Sequence, residues 1–453
     1  MRNDVDTEHK DLWLNQYLYA DTGPLRDVVE AVIDEVLWDE QRTRKRKAKD
    51  LLTFRLVVEV IVANLSRVIL LHPEGRPIVV ARGKGRNMVH DNPAIPRLTF
   101  VQTLDLLKAS GFLRQTIGIR GTMSTVAPTS RLSALVLGFG VHLGCFRRDR
   151  NSPTITVKPR VDRGHQDEPS RSLVRFRPTE ETEALGARVA RINDFLGNAD
   201  LGFIPDGGDV VDTEDRLLRR SFTVLPGQGL RFDQVGRLWG GFWQGLKKDR
   251  RGNLLIDGEP IADLDFVSLH PRLAYHHLGR ECPSGDLYDL TGILPGYVNT
   301  NPDHRDGVKR GLCSLFNGGR AGGIVGLPSG TTPRVLRAAL VKKHPGLVSL
   351  IEPPPGTHAT PSPPLGYRLM YLESEILLAA LERLMSFGIV ALPSHDGLFV
   401  AQSNAEIAQE AMRAASMAVL GVSLPVKAKA VPGPISAILQ PIHSLPPGEL
   451  LAA

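Results

Sequence analysis

Apolar positions recur along most of this chain with a period near 3.6, and the helices they predict are interleaved with short runs of period 2. Between residues 24 and 69, Val29, Val32, Ile33, Val36 and Leu37 fall at i+3 and i+4, and Leu51, Leu52, Phe54, Val57 and Val58 resume the stripe. Residues 99–109 carry Phe100, Leu104 and Leu107 on one face and stop at Gly111. Phe112, Leu113 and Ile117 then start a short strand, residues 118–121 a turn, and residues 132–143 another apolar helix. A helix, a glycine stop and a hairpin in that order suggest a winged-helix arrangement; an anonymous helical subdomain is the alternative. Residues 147–178 are rich in Arg, Pro, Ser and Asp without periodicity and mark a boundary.

Beyond it, residues 180–196 read as one helix through Leu185, Val189, Ile192 and Leu196. Residues 261–266 read as a strand in which Leu264 and Phe266 alternate with Asp263 and Asp265, and residues 270–277 as a helix that tolerates Pro271 in its first turn. Residues 303–317 form a second helix, with Asp303 as a candidate cap, before a glycine-rich stretch at 318–323; residues 353–366 are a proline-rich loop. A strong helix at 371–387 buries Leu372, Ile376, Leu377, Ala380 and Leu384. A hairpin follows, with strands at 389–392 and 398–400 turning at His395-Asp396-Gly397, then a helix at 404–420 and a strand at 422–428. Helices mixed with hairpin-linked strands imply an α+β fold with a mainly antiparallel sheet, preceded by a mainly helical N-terminal region.

Composition narrows this picture. A chain of 453 residues divides into roughly three units. With 42% apolar and 23% charged residues, wholesale disorder, collagen and coiled coil are excluded. Cys145, Cys282 and Cys313 have no metal-type spacing and cannot all pair, which fits a reducing compartment. No run of 18 apolar residues suggests a membrane span, and the charged N-terminus lacks an apolar leader core, so a cytoplasmic location without a membrane partner is expected. The net charge of +6 permits a polyanionic partner. Positive charge peaks at Arg42, Arg44, Lys45, Arg46, Lys47 and Lys49. This run is either a patch that releases counterions on meeting phosphates or a solvated helix face.

The candidate chemistry lies in the second half. Asp265 closes one predicted strand and Asp396 sits in the predicted hairpin turn. If those elements neighbour each other, the two carboxylates can share divalent ions, since Mg2+ is hard and takes oxygen ligands. Arg305 and Lys309, four apart on one helix face, are suited to clamp a triphosphate.

Three stretches, in order, carry a resemblance. Residues Asp265-Phe266-Val267-Ser268-Leu269-His270-Pro271-Arg272 resemble motif A of family A DNA polymerases, Arg305 to Lys309 the start of their motif B, and Ser394-His395-Asp396-Gly397 their motif C. Gly236-Arg237-Leu238 is similar to the family's Gly-Arg-Leu, and residues 422–428 to its closing strand. The resemblance covers about residues 230–430. Residues 151–229, outside it, read as a linker with a helical or thumb-like segment, and residues 1–150 as a mainly helical region that is a candidate winged-helix or DNA-binding module; the resemblance itself implies a polymerase palm with helical fingers, palm at 230–302 and 371–453 and reduced fingers at 303–370. It further implies metal ligation by Asp265, Asp396 and the Phe266 carbonyl, with two Mg2+ ions or Mn2+ in their place. Catalysis would rest on Asp265, Asp396 and Lys309, and nucleotide contacts on Phe266, His270, Arg305, Lys309, Cys313 and Asn317. Nucleic acid would be met by Arg237, by His395 near the primer end, and by the basic run at Arg42, Arg44, Lys45, Arg46 and Lys47.

The departures shape the expected function. The motif A glutamate that guards against a ribose is His270, the fingers tyrosine falls on Asn317, and the third acid of motif C is Gly397. The N-terminal half has no exonuclease-type acid pattern. The implied activity is therefore DNA polymerisation on a primer–template without proofreading, from dNTPs with NTPs admitted, in replication or repair. A primase or RNA-synthesising enzyme on the same palm, a DNA-binding protein with an inactive palm, and a two-metal nuclease are the competing readings.

Overall fold

The computed structural model describes residues 12–82, 92–119, 122–148, 152–160, 173–225, 227–319, 321–352 and 364–433. Two hydrophobic cores organise the chain, one spanning Tyr17 to Phe146 and the other Ile155 to Leu424.

The first core is built around α2 (Ala48–Leu71), whose buried positions run almost without a break from Val57 to Ser66. A helix apolar on all sides must be covered on all sides. Its cover is α1 (Pro24–Asp39), α3 (Arg97–Ala109), α4 (Ser130–Gly138) and short strands β1 (Leu12–Trp13), β2 (Leu18–Ala20), β3 (Ile78–Val80), β4 (Leu113–Thr116), β5 (Ser124–Pro128) and β6 (Phe146–Arg148). The strands form one sheet in the order β1-β3-β5-β4 and a pair β2-β6. A helix followed by the β4–β5 hairpin matches the expected order, but the region carries more strand than its periodicity suggests. Helix α4 ends at Gly138 rather than near residue 143, where Gly140 turns the backbone to φ 70°. Residues 120 and 121 of the expected turn lie outside the described residues.

The second core contains β7 (Ile155–Pro159), α5 (Glu180–Gly197), β8 (Leu201–Phe203), β9 (Leu218–Val224), β10 (Val235–Gly240), α6 (Phe242–Gly245), β11 (Leu254–Ile256), β12 (Glu259–Phe266) and α7 (Leu269–His277). It continues through α8 (Pro302–Phe316), α9 (Pro333–Lys343), α10 (Val348–Ile351), α11 (Leu365–Ser386), β13 (Ala391–Ser394), β14 (Gly397–Ala401), α12 (Ala405–Leu420) and β15 (Val426–Lys429). Strand β7, inside the stretch read as a linker, pairs parallel with β9, and β9 pairs antiparallel with β10. The larger sheet runs β13-β14-β12-β11-β8, with β15 on the other edge of β12. The fold is α+β, and this central sheet is antiparallel throughout. Asn301, not Asp303, caps α8, its side chain accepting from the Asp303 N–H at 3.0 Å. The proline-rich loop lies largely outside the described residues.

Ion pairs join the two cores: Asp212 of the second takes Arg67 Nε at 2.8 Å and also Arg148, both from the first. Among the described residues no helix is long and apolar enough to cross a membrane.

Candidate active site

Strand β12 is flanked by β14 and β15, so its last residues have neighbours on both sides. Asp265 stands opposite Gly397 on β14 and opposite Lys427 on β15. Asp396 occupies the two-residue turn between β13 and β14, next to the Gly397 that faces Asp265. Two features hold that turn. Gly397 passes so near β12 that a Cβ there would lie 2.2 Å from the Leu264 carbonyl oxygen. The fully buried Trp243 donates its indole N–H to the Pro393 carbonyl at 2.9 Å. His395, the first turn residue, is held at φ 55°, a conformation that costs a non-glycine residue about 1 kcal/mol or more. The closeness of the sheet thus explains the glycine at position 397: no side chain fits.

Asp265 is buried, with Oδ2 receiving Lys429 Nζ at 2.7 Å and Oδ1 without a hydrogen-bond partner among the described residues. Burial, followed by repulsion from Asp396, pushes its carboxyl up to about 6 against the pull of Lys429 and Lys309. One rung back, burial also raises Asp263, which has Arg251 at 3.8 Å and Lys429 at 4.0 Å. Lys427 and Lys429 alternate on β15 and therefore face the same side as the two acids.

Helix α8 supplies the opposite wall. Arg305, Lys309 and Cys313 recur every four residues and line, with Asp265, Phe266, His270, His395 and Asp396, a cleft of about 250 Å³. Arg305 places Nε and Nη2 on Asp286 at 2.7 and 3.1 Å and lies over the Tyr288 ring. That pairing raises the Arg305 pKa and, outweighing burial, lowers that of Asp286. Among the described residues Lys309 has no such carboxylate partner, which makes it the freer of the two cations. Asn317 turns away from the cleft, donating to the Cys313 carbonyl at 2.8 Å.

His270 and Arg237 meet on an acid that the sequence reading did not single out. Glu373 of α11, 1% exposed, takes both Arg237 Nε and Nη2 at 2.7 and 2.8 Å and His270 Nε2 at 2.8 Å. Burial works against the imidazolium, but Cys313, 3.6 Å from Nδ1, and Glu373 outweigh it and raise His270 to about 9. Glu373 is lowered, since His270 and Arg237 overcome its burial. Arg237 thus commits its fork to a carboxylate rather than leaving it open for nucleic acid. His395 packs its ring against Trp239 at 5.0 Å and is lowered by burial and by Arg237.

The basic run lies on the first core, apart from this cleft, in the connection between α1 and α2. Arg42 and Arg46 both pair with Glu40, and Arg46 stacks over Phe54 at 4.2 Å; Arg44, Lys45 and Lys47 are exposed. Asp286, Tyr288, Glu373, Lys427 and Lys429 are the site residues missed. The Lys-Ala-Lys alternation in the closing strand was a usable signal for two of them; the others carry none.

Among the described residues no group of three or more His, Cys, Asp or Glu side chains could hold a metal ion. The donor set nevertheless fits a hard divalent ion that takes its remaining ligands from water and phosphate. Asp265 Oδ1 is buried and unsatisfied, and a cation there would relieve its repulsion with Asp396.

No protein-family model matches the chain, and no curated protein matches it. Among solved structures, the polymerase domain of Pol1 from M. smegmatis, in complex with a DNA primer–template and dNTP, aligns over 91% of this chain and 66% of its own, at 11% identity and a TM-score of 0.26. This chain therefore spans just under two thirds of that domain's length, and a superposition this loose adds nothing to the geometry above.

Proposed function

We propose that the cleft between β12, β14 and α8 transfers nucleotides from a dNTP to the 3′-OH of a primer paired with a template, without proofreading. The observation that carries this is the buried, unsatisfied Asp265 Oδ1 beside Asp396, faced across the cleft by Lys309. Paired acids alone would serve hydrolysis as well; cations on the facing helix favour a triphosphate substrate. In this reading residues 230–302 and 371–453 act as palm, 303–370 as fingers, 151–229 as a thumb-like segment, and the region within 1–150 contacts DNA.

Asp265, Asp396 and the Phe266 carbonyl would hold the metal ions. Bound Mg2+ supplies neutralisation of phosphate charge and acidification of the attacking hydroxyl. Lys309 meets the leaving phosphates and can deliver a proton to them. Arg305, its Nε and Nη2 bound to Asp286, orients that wall of the cleft in this state. Glu373 tethers His270 at 2.8 Å; with His270 at the sugar, as the resemblance implies, sugar selection would rest on an imidazolium rather than a carboxylate.

A labelled primer–template incubated with Mg2+ or Mn2+ and either dNTPs or NTPs tests the reading. Extension by the parent and none by Asp265→Ala or Asp396→Ala is expected. Absence of extension from folded protein in every condition would sink it. One observation favours a second reading, a nucleic-acid-binding protein with an inactive palm: Lys429 already sits as a cation on Asp265. Duplex binding that survives loss of both aspartates, with no incorporation, would support that alternative.

A further inference from the structure

The sheet β10-β9-β7 presents a face that the cleft uses only at its inner end. Trp239 stands opposite Arg219, and Arg237 opposite Ser221, which on its other side faces Thr156. With Lys158 two positions along β7, these side chains share one face. Arg237 lines the carboxylate cleft, whereas the outer part floors a separate cavity of about 480 Å³ roofed by residues 13–17. That volume falls within the ~300–1,000 Å³ of ordinary ligand sites.

The chemistry of this cavity is selective. On its wall Arg148 pairs with Asp212 and lies 3.7 Å from Asp215, whose carboxylate also takes Arg67 at 3.1 Å, so these charges offset one another. Lys158 and Arg219 have no carboxylate partner among the described residues; Arg219 lies over the Tyr17 ring at 5.4 Å. Trp239 is 44% exposed and packs edge-to-face with His395, beside Asp396, at 5.0 Å between ring centres. Two free cations, hydroxyls from Thr156 and Ser221, and an open indole are what an unstacked base on a phosphate chain requires.

We infer that this cavity is a subsite for an unpaired nucleotide of a single strand that continues out of the cleft. Its base stacks on Trp239 and its phosphates meet Lys158 and Arg219. The inference rests on the polymerase reading only for where the strand leads; binding itself needs no catalysis. A base inside a duplex is stacked on both faces by its neighbours and has none to offer the indole, so the interior of a duplex is disfavoured there.

The test is fluorescence anisotropy of fluorescein-labelled dT12, rU12 and a blunt 12-base-pair DNA duplex with the full chain in EDTA, where no incorporation occurs. Trp239→Ala should weaken single-strand binding about tenfold, Trp239→Phe should restore most of it, and duplex binding should not move. Lys158→Glu should weaken the same probes and steepen with falling salt. Loss on dT12, rU12 or both supports the subsite and names the strand's sugar. Unchanged single-strand binding in Trp239→Ala, equal loss on duplex, or no binding by the parent overturns it. Melting curves that match the parent certify the variants' fold. Because EDTA removes metal, failure of primer extension would leave this result standing, and failure here would leave extension untouched.

Discussion

Replacing His270 with glutamine removes the one titrating member of the Arg237–Glu373–His270 cluster while keeping a hydrogen-bonding side chain beside Glu373. The folded protein holds the His270 proton to about pH 9, against an ordinary value of 6.5. At 1.36 kcal/mol per pH unit the difference corresponds to about 3 kcal/mol of stability. The folded state binds the proton more tightly than the unfolded chain. The contribution is therefore complete below about pH 6.5 and disappears as pH rises through 9. Urea unfolding followed by tryptophan fluorescence reads it, since Trp243 is fully buried in the same core. The parent should exceed His270→Gln by about 3 kcal/mol at pH 6 and by little at pH 9.5. A gap that stays constant across that range would refute the reasoning, because only a proton held by the fold makes it depend on pH. Glu373→Gln should flatten the parent's pH dependence in the same direction and add a loss from the stranded Arg237.

Gly397→Ala should cost about 2–3 kcal/mol, because its Cβ would meet the Leu264 carbonyl at 2.2 Å; a parent-like thermal melt would contradict this. Lys309→Ala should lower the rate of nucleotide addition roughly 100-fold with little change in melting temperature, measured in single-turnover extension. Lys429→Ala frees Asp265 Oδ2, now engaged at 2.7 Å, and should tighten Mn2+ binding by about 3- to 10-fold in a titration without nucleotide. Unchanged or weaker binding would mean that the ammonium does not compete with the metal.

Much of the secondary structure was legible because its signals are local. The stripe at Leu185, Val189, Ile192 and Leu196 needs only its own spacing to declare α5, and Gly111 needs only its missing Cβ to end α3. Strand β7 escaped because five residues in a polar, proline-bearing stretch acquire meaning only through the hydrogen bonds of β9. Helix α4 came out shorter than its apolar run because the turn at Gly140 ended it first.

The site divides along the same line. Sequence alone determined that Asp265 ends a strand, that Asp396 lies in a hairpin turn, and that Arg305, Lys309 and Cys313 share a helix face, since each follows from a fixed backbone period. Tertiary structure decided which charges those residues meet. Arg305 is spent on Asp286, 19 residues away, and Arg237 on Glu373, 136 residues away, while Lys429 crosses from the closing strand to Asp265. A side chain's electrostatic partner is set by distance in space, and a chain's local periodicities carry no information about which distant carboxylate arrives within 3 Å.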